Sequence, residues 1–455
     1  MENLKLTDAQ DRAVNQAIDW YNQPKHSEQE RMMALIGGAG VGKTVTTNVI
    51  IQELKKLRGK GLQMGTTHKI VGVQHLMAKK YGIRGVDRMT VHRFLGCRLE
   101  EDEDVIPKMV IQKDKCLMPI YQWGIVDEAG MINSRLFNHK TSEMRRLLCQ
   151  NYHTLFVGDD AQLKPVGEGL SPVFSVPFRI ELDEVIRQAE DSPIIDAILY
   201  CREVVLNGKK IELGRFEENH SHDFSQPGLW KLHHEEWMEQ VIEIMSSCEY
   251  KQNSDTAKVI CFQNKVALHL NLQIRERLYQ GAEAYQVGEP MIAASTIRDP
   301  FDENIILISN SEDVVITYSR PTTLEYDDFP KFGAYIVKVR CCQTGDYRQL
   351  TCIEPYEKPA FAQALNQLAD QAQRLRDEGK YHQSKALWRK FYQIRRKVAE
   401  LIPPYVITVR RSQGSTYPVV LPYMNDLLLG YDFDDIARRV YVALSRAQEQ
   451  ILMRV

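Results

Sequence analysis

Eight residues constrain this chain more than any others: Gly37-Gly38-Ala39-Gly40-Val41-Gly42-Lys43-Thr44. A glycine, four residues and then Gly-Lys-Thr is the pattern of a phosphate-binding loop, and it is credible only between a strand and a helix. Both flanks are present. The apolar run from Met32 to Ile36 reads as a buried strand, and Val49, Ile50 and Leu54 fall at helical spacing after Thr44. Glycines let the backbone curl until its N–H groups face a polyphosphate, and the helix N-terminus adds partial positive charge. Gly38, Ala39, Gly40, Val41 and Gly42 then form the cradle for ATP, Lys43 reaches the β- and γ-phosphates, and Thr44 holds Mg²⁺. The plainer alternative is a glycine-rich loop with a chance Lys-Thr; the strand, the helix and the glycine spacing all weigh against it.

A chain of 455 residues is too long for one core, so several domains are expected. With 44% apolar and 26% charged residues, the composition is that of a soluble globular protein. No apolar run is long enough for a spanning helix, and Met-Glu-Asn-Leu-Lys is no signal segment, so no membrane partner is expected. Nine cysteines without a Cys-x-x-Cys pair argue against a disulfide framework or a zinc site and suit a reducing cytoplasm. A net charge of −2 makes any nucleic-acid site a local groove rather than a global field.

Around the loop, further candidates follow in order. Thr7 and Gln10 have capping-box spacing; the same Gln10 amide, both donor and acceptor, suits an adenine edge. Leu62–Gly65 leads into Thr66-Thr67-His68, and a second polar end lies at Thr90-Val91-His92-Arg93-Phe94. Hydroxyls bind phosphate and rings stack on bases for ~1–3 kcal/mol each, so Thr67, His68, Thr90, His92 and Phe94 are candidates for a single-stranded DNA track. Taken singly, the histidines are as well explained by structural roles. Residues 95–120 break the α/β rhythm and read as a small hairpin whose apex is the acidic run 100–104. Trp123–Val126 is a buried strand ending in Asp127-Glu128: Asp127 for Mg²⁺, together with Thr44, and Glu128 to deprotonate the attacking water. Another strand, Leu155–Gly158, runs into Asp159-Asp160-Ala161-Gln162, where Gln162 faces the γ-phosphate; Arg187 is a candidate charge clamp.

Val259–Phe262 and Asn264 begin a second strand–helix unit. Residues 286–360 turn rich in β-branched residues and predict a small β module. Phe361, Leu365, Leu368, Ala372 and Leu375, then Leu387, Phe391, Ile394, Val398 and Leu401, keep helical spacing either side of Gly379, which predicts a helical hairpin. Between 371 and 399 there are nine Lys/Arg against two Asp/Glu, either a solvated face or an arm over DNA phosphates.

In order and spacing, these motifs resemble those of superfamily 1 DNA helicases, and more narrowly the RecD-like branch. The likeness spans nearly the whole chain. Lys164, Gly130 and Arg410-Arg411 depart from the usual pattern, which has proline, serine and His-Lys there. The resemblance implies an α/β fold of two RecA-like parallel-sheet cores: residues 1–190, with the hairpin 95–120 inserted, and residues 191–285 with 402–455. It implies an SH3-like module over 286–360 and a helical-hairpin arm over 361–401. It further implies Asn264, Thr408 and Ser412 on the DNA, Gln413 and Gly414 coupled to the nucleotide, and Arg446 as an arginine finger beside catalytic Lys43, Asp127, Glu128, Gln162 and Arg187. The implied activity is ATP- and Mg²⁺-dependent translocation on single-stranded DNA, 5′ to 3′, unwinding duplex in replication or recombination. The implied substrates are single strands and single/double-strand junctions; single-strand-binding or replication proteins would be partners of an active monomer. The rival expectations are a translocase that strips proteins without unwinding, a non-catalytic DNA-binding subunit of a recombination complex, and another phosphate-loop enzyme such as a kinase.

Overall fold

A computed structural model describes the chain except residues 1–5, 26, 28, 58, 101–107, 112–116, 118–119, 139–151, 185–192, 220–223, 225, 282–283, 301–304, 311 and 343; of residues 68, 69, 76, 97–100, 108–111 and 138 it describes the backbone alone.

The first core is a parallel sheet of six strands: β1 (Met32–Gly37), β2 (Gly61–Gly65), β3 (Asp87–Thr90), β6 (Trp123–Asp127), β7 (His153–Gly158) and β8 (Phe178–Leu182), in the order β3-β2-β6-β7-β1-β8. Side chains alternate across it with the period of two that strands impose. Met33 and Leu35 of β1, Trp123 and Ile125 of β6, and Leu155 and Val157 of β7 pack against the helices Asp8–Asn22 and Lys43–Lys56. Their neighbours Met32, Ala34, Ile36, Val126 and Phe156 face the other side, with Phe94, Tyr121 and Tyr152. Because both faces are covered, these strands read as continuous apolar runs. Burying each large side chain contributes about 1.5–3 kcal/mol.

Between β3 and β6, β4 (Cys97–Glu100) and β5 (Lys108–Ile111) pair antiparallel, from Cys97 opposite Ile111 to Glu100 opposite Lys108. The expected hairpin is therefore present, while most of its acidic apex lies outside the described residues.

A second parallel sheet, β18-β10-β19-β20-β9, joins β9 (Gly228–Leu232), β10 (Ala257–Cys261), β18 (Val406–Thr408), β19 (Tyr417–Pro422) and β20 (Ala447–Arg454). Trp237 is fully buried beside it and donates its indole N–H to the Leu452 carbonyl at 3.0 Å. Between β10 and β18 the chain builds an antiparallel sheet from β11 (Pro290–Ala293), β14 (Asp313–Tyr326), β15 (Phe329–Cys341), β16 (Tyr347–Ile353) and β17 (Leu401–Ile402), plus the small ribbon β12 (Ile297–Arg298) with β13 (Ile306–Ile308). Leu401–Ile402 was expected at the end of the arm and the start of the second core; it pairs instead with β11, closing the antiparallel sheet. The helices Lys358–Asp377 and Tyr381–Lys397 form the anticipated hairpin and pack through Phe361, Leu365, Leu368 and Ile394 on Leu324 and Phe332 of the long β14–β15 ribbon.

Among the described residues no helix is long and apolar enough to cross a membrane.

Candidate nucleotide site between the cores

In the parallel register, Thr90 lies beside Gly65, Gly65 beside Asp127, and Ile36 beside Gly158. The carboxyl ends of β1, β2, β3, β6 and β7 therefore share one edge, where open α/β sheets bind their ligands. At that edge the helix Lys43–Lys56 starts from Gly42, whose φ of 78° is left-handed and natural for glycine. No side chain caps this helix, so its first N–H groups remain available to an anion. Lys43 folds back on its own loop, its Nζ donating to the carbonyls of Gly37 and Gly38 at 2.6 Å each.

Asp127 accepts the Glu128 N–H at 2.9 Å. Glu128 itself sits at φ 50°, a left-handed conformation costly for a residue with a side chain and characteristic of active sites. Burial is the largest influence on both carboxyls and pushes both upward. For Glu128 the next influence is the positive charge of Arg446, which opposes the rise, as does Lys43; Asp127 and Asp159 add to it. Arg446 is 5% exposed and held by its own core, through the Val442 carbonyl at 3.1 Å, the Ser415 carbonyl at 3.3 Å and the Ser445 hydroxyl at 2.8 Å. Its charge nonetheless acts on Glu128 of the other core. The two halves meet beside Glu128.

At the same seam the segment Asp159–Lys164 is gripped from the second core. Ala161 and Leu163 pack into the second core's apolar cluster, with Ile194, Ile198 and Tyr441. Arg438 donates from one nitrogen to the carbonyls of Asp160 at 2.5 Å and Gln162 at 2.9 Å. Gln413 Nε2 lies 3.5 Å from Gln162 Oε1. Lys164 pairs with Asp434 at 2.5 Å, and its carbonyl accepts from Arg410 at 3.2 Å. Two positions that depart from the superfamily pattern, Lys164 and Arg410, thus meet each other. A Cβ on Gly414 would lie 2.6 Å from Ile70 and 3.7 Å from the Glu128 side-chain methylene, so this second-core turn lies directly against the first core.

Other candidates fall less simply. Gln10 is 3% exposed and completes the capping box, its Oε1 accepting the Thr7 N–H at 3.1 Å. Thr67 and Thr90 cap the helices that follow them, accepting from Ile70 N–H and Arg93 N–H. His68 begins the helix His68–Lys80; its side chain, like the whole of Arg187, is outside the described residues. His92 is half-buried and Asn264, opening the helix Asn264–Leu278, is exposed. Two expectations need correction. Phe94 is fully buried against Tyr121 and Tyr152 and presents no ring face to a base. Ser412 is fully buried and spends its hydroxyl on the Val409 carbonyl at 2.8 Å, so it is turned away from any phosphate. Thr408, 8% exposed, sits at the end of β18.

Sequence reading assigned no role to Arg438, Tyr441 or Arg202. Tyr441 carried a faint signal, a hydroxyl within the apolar run Val440–Leu444 of its helix. Arg202 carried none.

Comparison with known proteins follows the same division. Residues 23–168 match an AAA domain, and residues 403–453 match a UvrD-like helicase C-terminal domain. The ATP-dependent DNA helicase dda of Enterobacteria phage T4 is 25% identical over 299 residues, which cover 63% of this chain and 60% of the phage protein's length. An uncharacterized protein, R530, of Acanthamoeba polyphaga mimivirus is 20% identical across 96% of this chain and 97% of its own. In fold, the chain is similar to the Pif1 helicase of Bacteroides solved with ADP-AlF3 and single-stranded DNA: TM-score 0.51, 14% identity, 100% of this chain and 93% of that one. It is also similar to Pif1 of Candida albicans: TM-score 0.50, 16% identity, 99% and 94% covered. With an AAA domain and a UvrD-like helicase C-terminal domain in one polypeptide, the chain resembles the superfamily 1 DNA helicases, the Dda helicase among them.

Proposed function

We propose that this chain is an ATP-dependent DNA helicase that moves 5′ to 3′ along single-stranded DNA and opens duplex ahead of it. One observation supports the reading: the buried Glu128 carboxyl lies within reach of two positive charges, Lys43 of its own core and Arg446 of the other. A triphosphate seated on the loop would be held by Lys43 and by the N–H groups that open the helix Lys43–Lys56. Glu128 would take the proton of the attacking water, and Arg446 would balance charge developing on the phosphoryl group. The donor set suits Mg²⁺: one carboxylate, Asp127, and one hydroxyl, Thr44, are hard oxygen ligands of the kind this ion combines with substrate phosphates and water. Bound there, the ion would neutralise phosphate charge. Because each core supplies part of the site, the closed arrangement is favoured only while the terminal phosphate is present, which couples hydrolysis to relative motion of the cores.

Thr67, His68, Thr90, His92, Asn264 and Thr408 remain the proposed strand-end contacts to DNA, with Arg187 as a second clamp and Gln10 on adenine. Polarity, single/double-strand junctions as substrate, a role in replication or recombination, replication-protein partners and action as a monomer rest on the family likeness. Duplexes with a 5′ or a 3′ single-stranded tail test the proposal. Unwinding of the 5′-tailed substrate alone is expected. Unwinding of only 3′-tailed substrates would remove the RecD-like branch, and DNA-stimulated hydrolysis without strand separation would favour a protein-displacing translocase.

A further inference from the structure

The hydroxyl of Tyr441 occupies an unusual place. It belongs to the second core's helix Phe433–Leu444, yet it accepts the backbone N–H of Ala39, inside the phosphate loop, at 3.0 Å. The same hydroxyl donates to Asp159 Oδ2 at 2.5 Å. Asp159 is itself fixed, its Oδ1 accepting the Ala161 N–H at 3.0 Å. A second side chain of the same core closes the ring. Arg202, on the helix Pro193–Leu206, bonds Asp160 Oδ1 at 3.1 Å and brings its Nε to 3.8 Å from Asp159 Oδ1. It also lies directly against the loop: a Cβ on Gly38 would stand 2.7 Å from that Nε. The Nε is buried and has no hydrogen-bond partner among the described residues. Lys43, meanwhile, is turned onto the loop's own carbonyls. The Ala39 N–H and the Lys43 ammonium, donors of the kind a phosphate-binding loop offers its ligand, are thus both answered by protein groups.

We propose that Tyr441 and Arg202 form a latch on the phosphate loop, and that an incoming nucleoside triphosphate must take the Ala39 N–H from the Tyr441 hydroxyl. This rests on the nucleotide-binding reading above and adds regulation to the same site. Tyr441 is a positioning residue here: it touches the loop and Asp159, and it acts on the nucleotide through them. Release of the hydroxyl leaves Asp159 short of one donor beside an Arg202 with an unused N–H, so the Asp159–Gln162 segment and the second core would register loop occupancy in one step. A hydrogen bond that must be broken before binding costs affinity by its net strength, roughly three- to tenfold.

Tyr441→Phe removes the hydroxyl and keeps the ring. The measurement is equilibrium binding and release of a fluorescent ATP analogue by the full chain, with near-UV circular dichroism as the check on packing. The variant is expected to bind roughly three- to tenfold more tightly than the native chain, and single-stranded oligonucleotide should change its affinity less. General damage to the core weakens binding, so a gain separates the latch from a structural role. Unchanged affinity would overturn the latch; weaker affinity with native dichroism would overturn it too, by making the hydroxyl a nucleotide ligand. Should Tyr441→Phe lose its packing, Asp159→Asn, which removes the charge that orients the hydroxyl, is expected to tighten binding by a smaller factor, and no tightening there would overturn the latch. A native chain that takes up no nucleotide would overturn the proposed function and the latch with it; native binding without a gain in the variants would overturn the latch alone.

Discussion

The two parallel sheets contribute to the candidate nucleotide site in opposite ways. The first core carries its chemistry in compact runs at adjacent strand ends: Gly37–Thr44 after β1, Asp127-Glu128 after β6, Asp159–Gln162 after β7. The second core contributes single side chains from scattered elements: Arg202 from one helix, Arg438, Tyr441 and Arg446 from the helix Phe433–Leu444 and its end, Gln413 and Gly414 from a turn. A site of the first kind is fixed by local backbone geometry. One of the second kind exists only while two bodies are docked. The first core should therefore carry the binding loop and the base, while the second completes the site for cleavage and adjusts how nucleotide is held.

The largest effect expected falls on the first core. Lys43→Ala should abolish ATP hydrolysis while circular dichroism stays native; full turnover in that variant would remove the loop from its central role. Glu128→Gln should lower turnover by about 10²–10⁴. Glu128 works as a base only when ionised, and burial raises its carboxyl, so activity should fall at a higher pH on the acid side than an ordinary glutamate would give. The native pH–rate profile checks this, and the acid limb assigned to Glu128 should be missing from the residual activity of the variant.

Smaller effects sharpen the comparison at the seam. Arg438→Met deprives the carbonyls of Asp160 and Gln162 of their donor and should cost about 1.5–3 kcal/mol, read in urea unfolding. Lys164→Ala breaks a partly exposed pair with Asp434 and should cost under about 1 kcal/mol, shrinking further in high salt. If Lys164→Ala proved the more damaging of the two, the seam would be held by surface charge rather than by buried donors.

Legibility in the sequence follows the same line. Strand–loop–helix order and strand-end carboxylates are local, and they could be read because apolar runs and glycine spacing are set by neighbours along the chain. The seam could not. Arg438 and Arg439 are adjacent and alike in sequence, yet Arg438 crosses to the first core while Arg439 stacks on Phe262 at 3.9 Å and bonds the Leu429 carbonyl within its own core. Phe94 misled for a related reason. A ring at a strand end looks available to a base, and only tertiary packing reveals Tyr121 and Tyr152 against it. Leu401 read as the end of the arm and Ile402 as the start of the second core because two apolar residues cannot declare their pairing partner.

The shared site is tested most directly by Arg446→Ala, measured for both ATP binding and ATP hydrolysis in saturating single-stranded DNA. Binding is expected within a few-fold of native, with turnover reduced by ~10³–10⁵ as for arginine fingers in related phosphoryl transfers. Native turnover, or loss of binding in place of hydrolysis, would contradict a site completed from the second core.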